Sequence, residues 1–281
     1  MEIIIMTVIS APTLLPLGHP TDADDIRALV DVVADAGFSG VQMTSSHFDG
    51  AVTAGMAPRE YFDRHRDRGL SIATVEVAME WATADRSTIA AEAAPLMDLA
   101  RRAGAQHIIA ITTLRPETAG LGEVAARLAY LCDIAADQGL RISLEFLPWT
   151  VVPTLAAAAR LLDAVNRDNL GLVLDLWHWF RQPGGPREDV LRNIPAARID
   201  VVQLCDAPAK PAQDPVVETT TARLLPGAGD IDIDAVLDVL AAMGATPIIA
   251  TEVYSASLAA LGPAEMARQA FTATSAALRG R

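Results

Sequence analysis

The chain repeats one order of signals from end to end: a helical pattern, a glycine, then a short apolar run. Strand-like runs fall at 3–9, 40–46, 71–80, 107–113, 141–147, 170–177, 199–205 and 246–254. Gly37, Gly69, Gly104, Gly139 and Gly244 each follow a helical stretch and stand at the approach to a strand. Glycine accepts the left-handed backbone that a helix C-terminus needs. Between strands the pattern is helical. In 21–36, Ile26, Leu29, Val30 and Val33 make one apolar stripe, and Thr21 stands as N-cap before the acidic turn Asp22, Asp24 and Asp25. Recurrence at roughly thirty-residue spacing is the mark of repeated βα units. Eight units with no interruption predict an α/β fold of the (β/α)8 TIM-barrel type, as a single domain over 1–281. An open doubly wound sheet usually carries a glycine-rich first turn, and SAPTLLPLGHP has no G-x-G-x-x-G.

Composition narrows the partners. With 22 Lys plus Arg against 35 Asp plus Glu, the net charge is −13, which repels a phosphate backbone and argues against nucleic acid. Cys132 and Cys205 make no disulfide framework and suit a reducing compartment. The apolar opening MEIIIMTVIS lacks a basic lead and a cleavage pattern, and at about ten residues it is far short of a membrane span. A cytoplasmic protein without membrane association is expected. The longest irregular stretch, 207–229, is proline-rich and follows the seventh strand, which places it over the C-terminal mouth of a barrel.

Four polar residues end four strand-like runs: Glu145 in RISLEF, Asp175 in GLVLDLWHW, Gln203 in IDVVQLCDA and Glu252 in PIIATEVYS. Side chains alternate along a strand, so Ser143, Val173, Val201 and Ala250 share their face, all small or β-branched as a barrel interior requires. Leu144, Leu174, Val202 and Thr251 then face the helices. Buried carboxylates are costly unless they share a cation or hydrogen bonds. Three carboxylates and an amide oxygen at the ends of strands five to eight make a hard donor set. It suits Mn²⁺ or Mg²⁺ ahead of Co²⁺ or Zn²⁺. The bland alternative is four separate polar residues, each bonded locally.

His178 lies three residues past Asp175, where the sixth strand is expected to break into a loop between Trp177 and Trp179. It is read as a substrate contact or acid/base group, the alternative being a packed imidazole. Arg223 in RLLPGAGD suits an anionic or polyhydroxy ligand, or equally a loop-anchoring salt bridge; Lys210 is a weaker candidate. Trp149, like Glu80 and Trp81, could wall a substrate pocket or simply pack. His47 ends the second strand and could line the mouth, as could His19 in the first loop. His65 reads as a solvated helix residue and His107 belongs to the opposite end of the barrel.

In the order Glu145, Asp175-x-x-His178, Gln203, Glu252, with Arg223 and PGAGD between the last two, the chain resembles the xylose isomerase-like TIM-barrel superfamily of sugar-phosphate isomerases and epimerases. The resemblance implies one divalent metal on Glu145, Asp175, Gln203 and Glu252, with the two glutamates as an acid/base pair. It also implies a small polyhydroxy carbonyl substrate and a homo-oligomer. Many sugar epimerases carry His at the third ligand. Gln203 followed by Asp206-Ala207-Pro208 is instead similar to 3-dehydroshikimate dehydratases of that superfamily, where the histidine matching His178 takes part in proton transfer. The superfamily's zinc endonucleases, rich in ligand histidines, do not fit five histidines and a charge of −13.

The expected reaction is proton abstraction next to a carbonyl through a metal-stabilised enediolate, giving isomerisation or epimerisation. The alternative is a metal-dependent dehydratase of the 3-dehydroshikimate or inosose type, with His178 as base. A second alternative is a ligand-binding barrel without turnover.

Overall fold

The computed structural model describes residues 6–16, 22–113 and 120–279. Eight parallel strands close into a barrel in chain order: β1 (Thr7–Ser10), β2 (Gly40–Thr44), β3 (Ser71–Ala78), β4 (His107–Ala110), β5 (Arg141–Glu145), β6 (Leu170–Asp175), β7 (Ile199–Leu204) and β8 (Ile248–Thr251). Helices separate consecutive strands, as the alternating pattern predicts. The part of the first run at 3–5 and the cap proposed at Thr21 lie outside the described residues. No helix among the described residues is long and apolar enough to cross a membrane.

Two compact units can be described. The first comprises Met1–Ala73, Gln203–Ala235 and Ile248–Arg281. In it β1 lies between β2 and β8, with Ser10 paired to Gln42 and Ile9 to Thr251. The helix Ala23–Ala36 starts on Asp22, whose carboxylate accepts from the amides of Asp24 and Asp25 while Asp25 answers in a capping box. It ends on Gly37 at φ 104°, where a Cβ would stand 2.9 Å from the Phe271 ring. Glycine thus meets two demands there, a left-handed cap and the close approach of the helix Pro263–Ala277. Phe38 completes that contact edge-on to Phe271, with centroids 5.2 Å apart.

The second unit comprises Thr74–Val202 and Val236–Pro247. Here β3, β4, β5 and β6 pair in sequence, with one register shift between Glu76 and Ala78. Near the strand starts, Asp200 accepts from Arg141 Nη2 at 2.9 Å and from Ser143 Oγ at 2.8 Å, and His107 Nδ1 lies 3.1 Å from Ser143 Oγ. His107 therefore belongs to a polar cluster at the N-terminal ends of the strands, opposite to the catalytic residues expected at their C-terminal ends.

Several strands stop earlier than their apolar runs suggest. Thr44 and Asp175 each turn the chain directly into a helix by accepting an amide hydrogen bond with the side chain. Apolar residues beyond them, such as Leu176 and Trp177, are buried on helices.

Candidate metal centre and active site

Glu145 is the last residue of β5 and Asp175 the last of β6, and the helix Leu176–Arg181 begins at once. His178 is therefore in a helical turn and not in the expected loop. Asp175 Oδ1 accepts from the His178 amide at 2.9 Å, which fixes the first turn. The imidazole Nε2 then stands 3.3 Å from Glu145 Oε1 and 4.0 Å from Asp175 Oδ2. All three residues are buried, and one ligand atom from each lies within 4.8 Å of the others. His178 Nδ1 is buried with no hydrogen-bond partner among the described residues. Trp149 and Trp177 meet the imidazole edge-on at 5.6 and 5.3 Å, so two aromatic rings limit its rotation.

Glu76, midway along β3, is a further acid of this unit. Burial, and secondarily the charge of Glu145, push its carboxyl up to about 8, so it is largely protonated at neutral pH. Its Oε1 is buried without a partner among the described residues. Sequence reading passes over it, although one acid inside the apolar run IATVEVA is the same kind of signal that marks the strand ends.

In the first unit, Gln203 and Glu252 are joined. Gln203 Nε2 donates to Glu252 Oε1 at 2.9 Å, and Gln203 Oε1 is buried with no partner among the described residues. Thr251 Oγ1 lies 2.7 Å from Thr274 Oγ1 of the helix Pro263–Ala277. Alternation therefore turns Ala250 and Glu252 to the other face, toward the barrel interior. Arg223 Nη1 donates to Glu252 Oε2 at 3.1 Å, and its Nε and Nη2 donate to Thr219. The anchoring salt bridge weighed for Arg223 is present, and its partner is itself a candidate ligand. The Tyr254 hydroxyl donates to Glu252 Oε1 at 2.9 Å, while its ring lies 5.0 Å from the Arg223 guanidinium.

The D-A-P and PGAGD motifs are two sides of one loop. Asp206 accepts backbone N–H bonds from Ala207, Gly227, Gly229 and Ile231 at 2.8–3.0 Å. A Cβ on Gly229 would sit 2.4 Å from the Ala207 carbonyl oxygen, so this close approach admits only glycine. The stretch read as irregular also contains the helix Pro215–Thr221, which supplies Thr219 to Arg223.

Other candidates settle locally. His65 is buried, not solvated: its Nδ1 donates to the Tyr61 carbonyl at 2.8 Å and its ring stacks on Tyr61 at 4.9 Å. An i, i+4 pair on the inner helix face accounts for the difference. His47 is buried in the first turns of the helix Ser45–Thr53, and burial lowers its pKa. Trp81 is a packing residue, fully buried with Nε1 on the Ile111 carbonyl at 2.6 Å. Glu80 and Lys210 are exposed, and His19 lies outside the described residues.

The chain belongs to the xylose isomerase-like TIM barrel family, whose model matches residues 30–275. Among curated proteins it is similar to a 3-dehydroshikimate dehydratase of Pseudomonas aeruginosa, 29% identical over 236 residues, covering 80% of this chain and 36% of that protein. It is also similar to an inosose isomerase of Bacillus subtilis, 28% identical over 165 residues, covering 57% of this chain and 58% of the relative. The chain thus spans about a third of the dehydratase and little more than half of the isomerase. Among solved structures, the IOLI protein with a bound zinc atom superposes with a TM-score of 0.85, covering 98% of each chain at 20% identity, which speaks to the fold.

Buried carboxylates and an imidazole within 4.8 Å of one another fit a divalent cation. The amide oxygen of Gln203, which no described residue meets, fits the same chemistry.

Proposed function

We propose that the protein is a divalent-metal-dependent isomerase or epimerase of a small polyhydroxy ketone, working by proton transfer next to the carbonyl. Glu145, Asp175, Gln203 and Glu252 would hold the metal, which when bound polarises the substrate carbonyl. The observation that carries the reading is the 3.3 Å approach of His178 Nε2 to Glu145 Oε1. It sets a proton-transfer group directly beside a candidate ligand. His178 moves the proton of the reacting centre, with its Nε2 held beside Glu145 and its Nδ1 bonded to none of the described residues. Trp149 keeps the imidazole in place and offers an apolar wall to the substrate. Arg223 and Tyr254 hold both oxygens of Glu252 in fixed directions, which prepares that carboxylate for its partner before substrate arrives.

A dehydratase is the second reading, supported by Gln203 with Asp206-Ala207-Pro208 and by the similarity to the Pseudomonas protein over 80% of the chain. In it His178 removes the proton and a β-hydroxyl departs as water. A substrate panel with added Mn²⁺ separates the two: inosose, ketoses, sugar phosphates and 3-dehydroshikimate. Isomerisation conserves the mass of the substrate, whereas dehydration gives a conjugated product lighter by one water. Metal binding with neither outcome supports a ligand-binding barrel without turnover.

A further inference from the structure

Gln42 sits in the middle of β2 between Val41 and Met43, wholly shielded from solvent. Neither its amide nitrogen nor its amide oxygen has a hydrogen-bond partner among the described residues. A primary amide offers two donors and an acceptor, and a buried one is almost always bonded. An amide that no described residue meets has its donors and acceptor available to a ligand.

Its neighbours say what. In register, Gln42 pairs with Ser10 of β1, while Val8 and Ile9 pair with Ala250 and Thr251 of β8. Ser10 and Glu252 each follow the last of these pairs, Ile9 with Thr251, by one residue. Residues in register on parallel strands share a face, so Gln42, Ser10 and Glu252 form one row on the interior side. The row is chemically continuous at one end: Ser10 Oγ lies 3.4 Å from Tyr254 OH, which donates to Glu252. Gln42 closes the other end, bonded to none of the described residues. Tyr254, which bonds to the Ser10–Glu252 end of the row, also lines a cavity of about 440 Å³ together with Pro12, Thr13, Thr220, Thr221 and Ser255.

We propose that Ser10 and Gln42 form a hydroxyl-binding subsite that selects an uncharged polyhydroxy ketone as substrate; this rests on the isomerase reading above. The amide oxygen must meet a donor and the amide nitrogen an acceptor, and adjacent hydroxyls of a polyol supply both. A carboxylate or a phosphate dianion only accepts, leaving Gln42 Oε1 unmet, and it would face Glu252 in the same row. Inosose-like cyclic polyols are favoured over 3-dehydroshikimate and over sugar phosphates. Gln42 is thus a specificity residue, distinct from the metal ligands and from His178.

The test uses the full chain as wild type, Gln42→Leu and Ser10→Ala, each with and without Mn²⁺. Calorimetric titration with myo-inositol, a polyol without a carbonyl, reads the subsite; titration with Mn²⁺ reads the metal site. The wild type is expected to bind myo-inositol and inosose, and Gln42→Leu to weaken both by on the order of tenfold or more. Mn²⁺ affinity should stay within about twofold in all three proteins. Because leucine removes an unmet amide, ligand-free Gln42→Leu should melt at or above the wild-type temperature, which a structural glutamine would not permit. Polyol affinity in Gln42→Leu within about twofold of wild type, or wild-type preference for 3-dehydroshikimate over inosose, overturns the subsite. Either result would leave the metal reading standing, since that fails separately if wild type takes up no Mn²⁺.

Discussion

Arg223 and Glu252 form an ion pair of 3.1 Å with side chains only 2% and 4% exposed. A pair so deeply buried contributes less through its attraction than its rupture costs, because the surviving charge is stranded without solvent. Arg223→Met is expected to destabilise the metal-free protein by about 3–5 kcal/mol in urea unfolding. The double variant with Glu252→Gln should recover a large part of that loss. An Arg223→Met protein as stable as wild type would mean that Glu252 does not depend on the pair.

Tyr254 tests positioning separately from stability. Tyr254→Phe keeps the ring against Arg223 and removes one hydrogen bond to Glu252 Oε1. The loss of a single bond to a charged group corresponds to about 1.5–3 kcal/mol, which should appear as a fall in kcat of about tenfold or more with KM little changed. An equal rise in KM at constant kcat would place the hydroxyl in substrate binding.

Ligand and proton-transfer roles divide between neighbouring residues. Glu145→Gln and Asp175→Asn should each weaken Mn²⁺ binding by about tenfold or more, read by calorimetry. His178→Asn should retain the metal and lower kcat by about 10²–10⁴. Loss of metal in His178→Asn would assign the imidazole to the ligand set and not to proton transfer.

Glu76 makes stability depend on pH in an unusual direction. Its folded pKa, raised to about 8, lies above the ordinary 4.5, so the native state binds this proton more tightly than the unfolded chain. The stability it lends is complete below the unfolded value and is lost as pH rises through the folded one. Buried His47 and His65 have lowered pKa values and oppose this below about pH 6.5. Between pH 6.5 and 8 the metal-free wild type should therefore melt lower as pH rises, by at most about 1.4 kcal/mol per pH unit. Glu76→Gln should flatten the slope in a thermal scan; an unchanged slope would assign it to another group.

The barrel is legible in the sequence because glycine after helix and apolar run before helix recur with little interruption. The same period-2 logic points Glu145, Asp175, Gln203 and Glu252 in one direction, and the Thr251–Thr274 contact bears it out for Glu252. What the sequence hides depends on neighbours distant in the chain. Asp175 looks like the middle of an apolar run because the buried residues after it lie on a helix that Asp175 itself caps. Arg223 could not be matched to Glu252 without knowing that the helix Pro215–Thr221 presents Thr219 to its guanidinium. Gln42 and Glu76 carry a readable signal, one polar residue inside an apolar strand. It is weaker than a strand-end acid because mid-strand polar groups usually find a local partner.

Solvent exchange tests the proposed isomerisation most directly. Inosose is incubated in D₂O with wild-type protein and Mg²⁺, and the product is examined by NMR and mass spectrometry. Proton transfer next to the carbonyl predicts deuterium at that carbon, an isomeric product and no loss of water, with exchange slowed by about 10²–10⁴ in His178→Asn. A metal-loaded wild type that leaves inosose unlabelled, or releases water from it, would contradict the proposed isomerase.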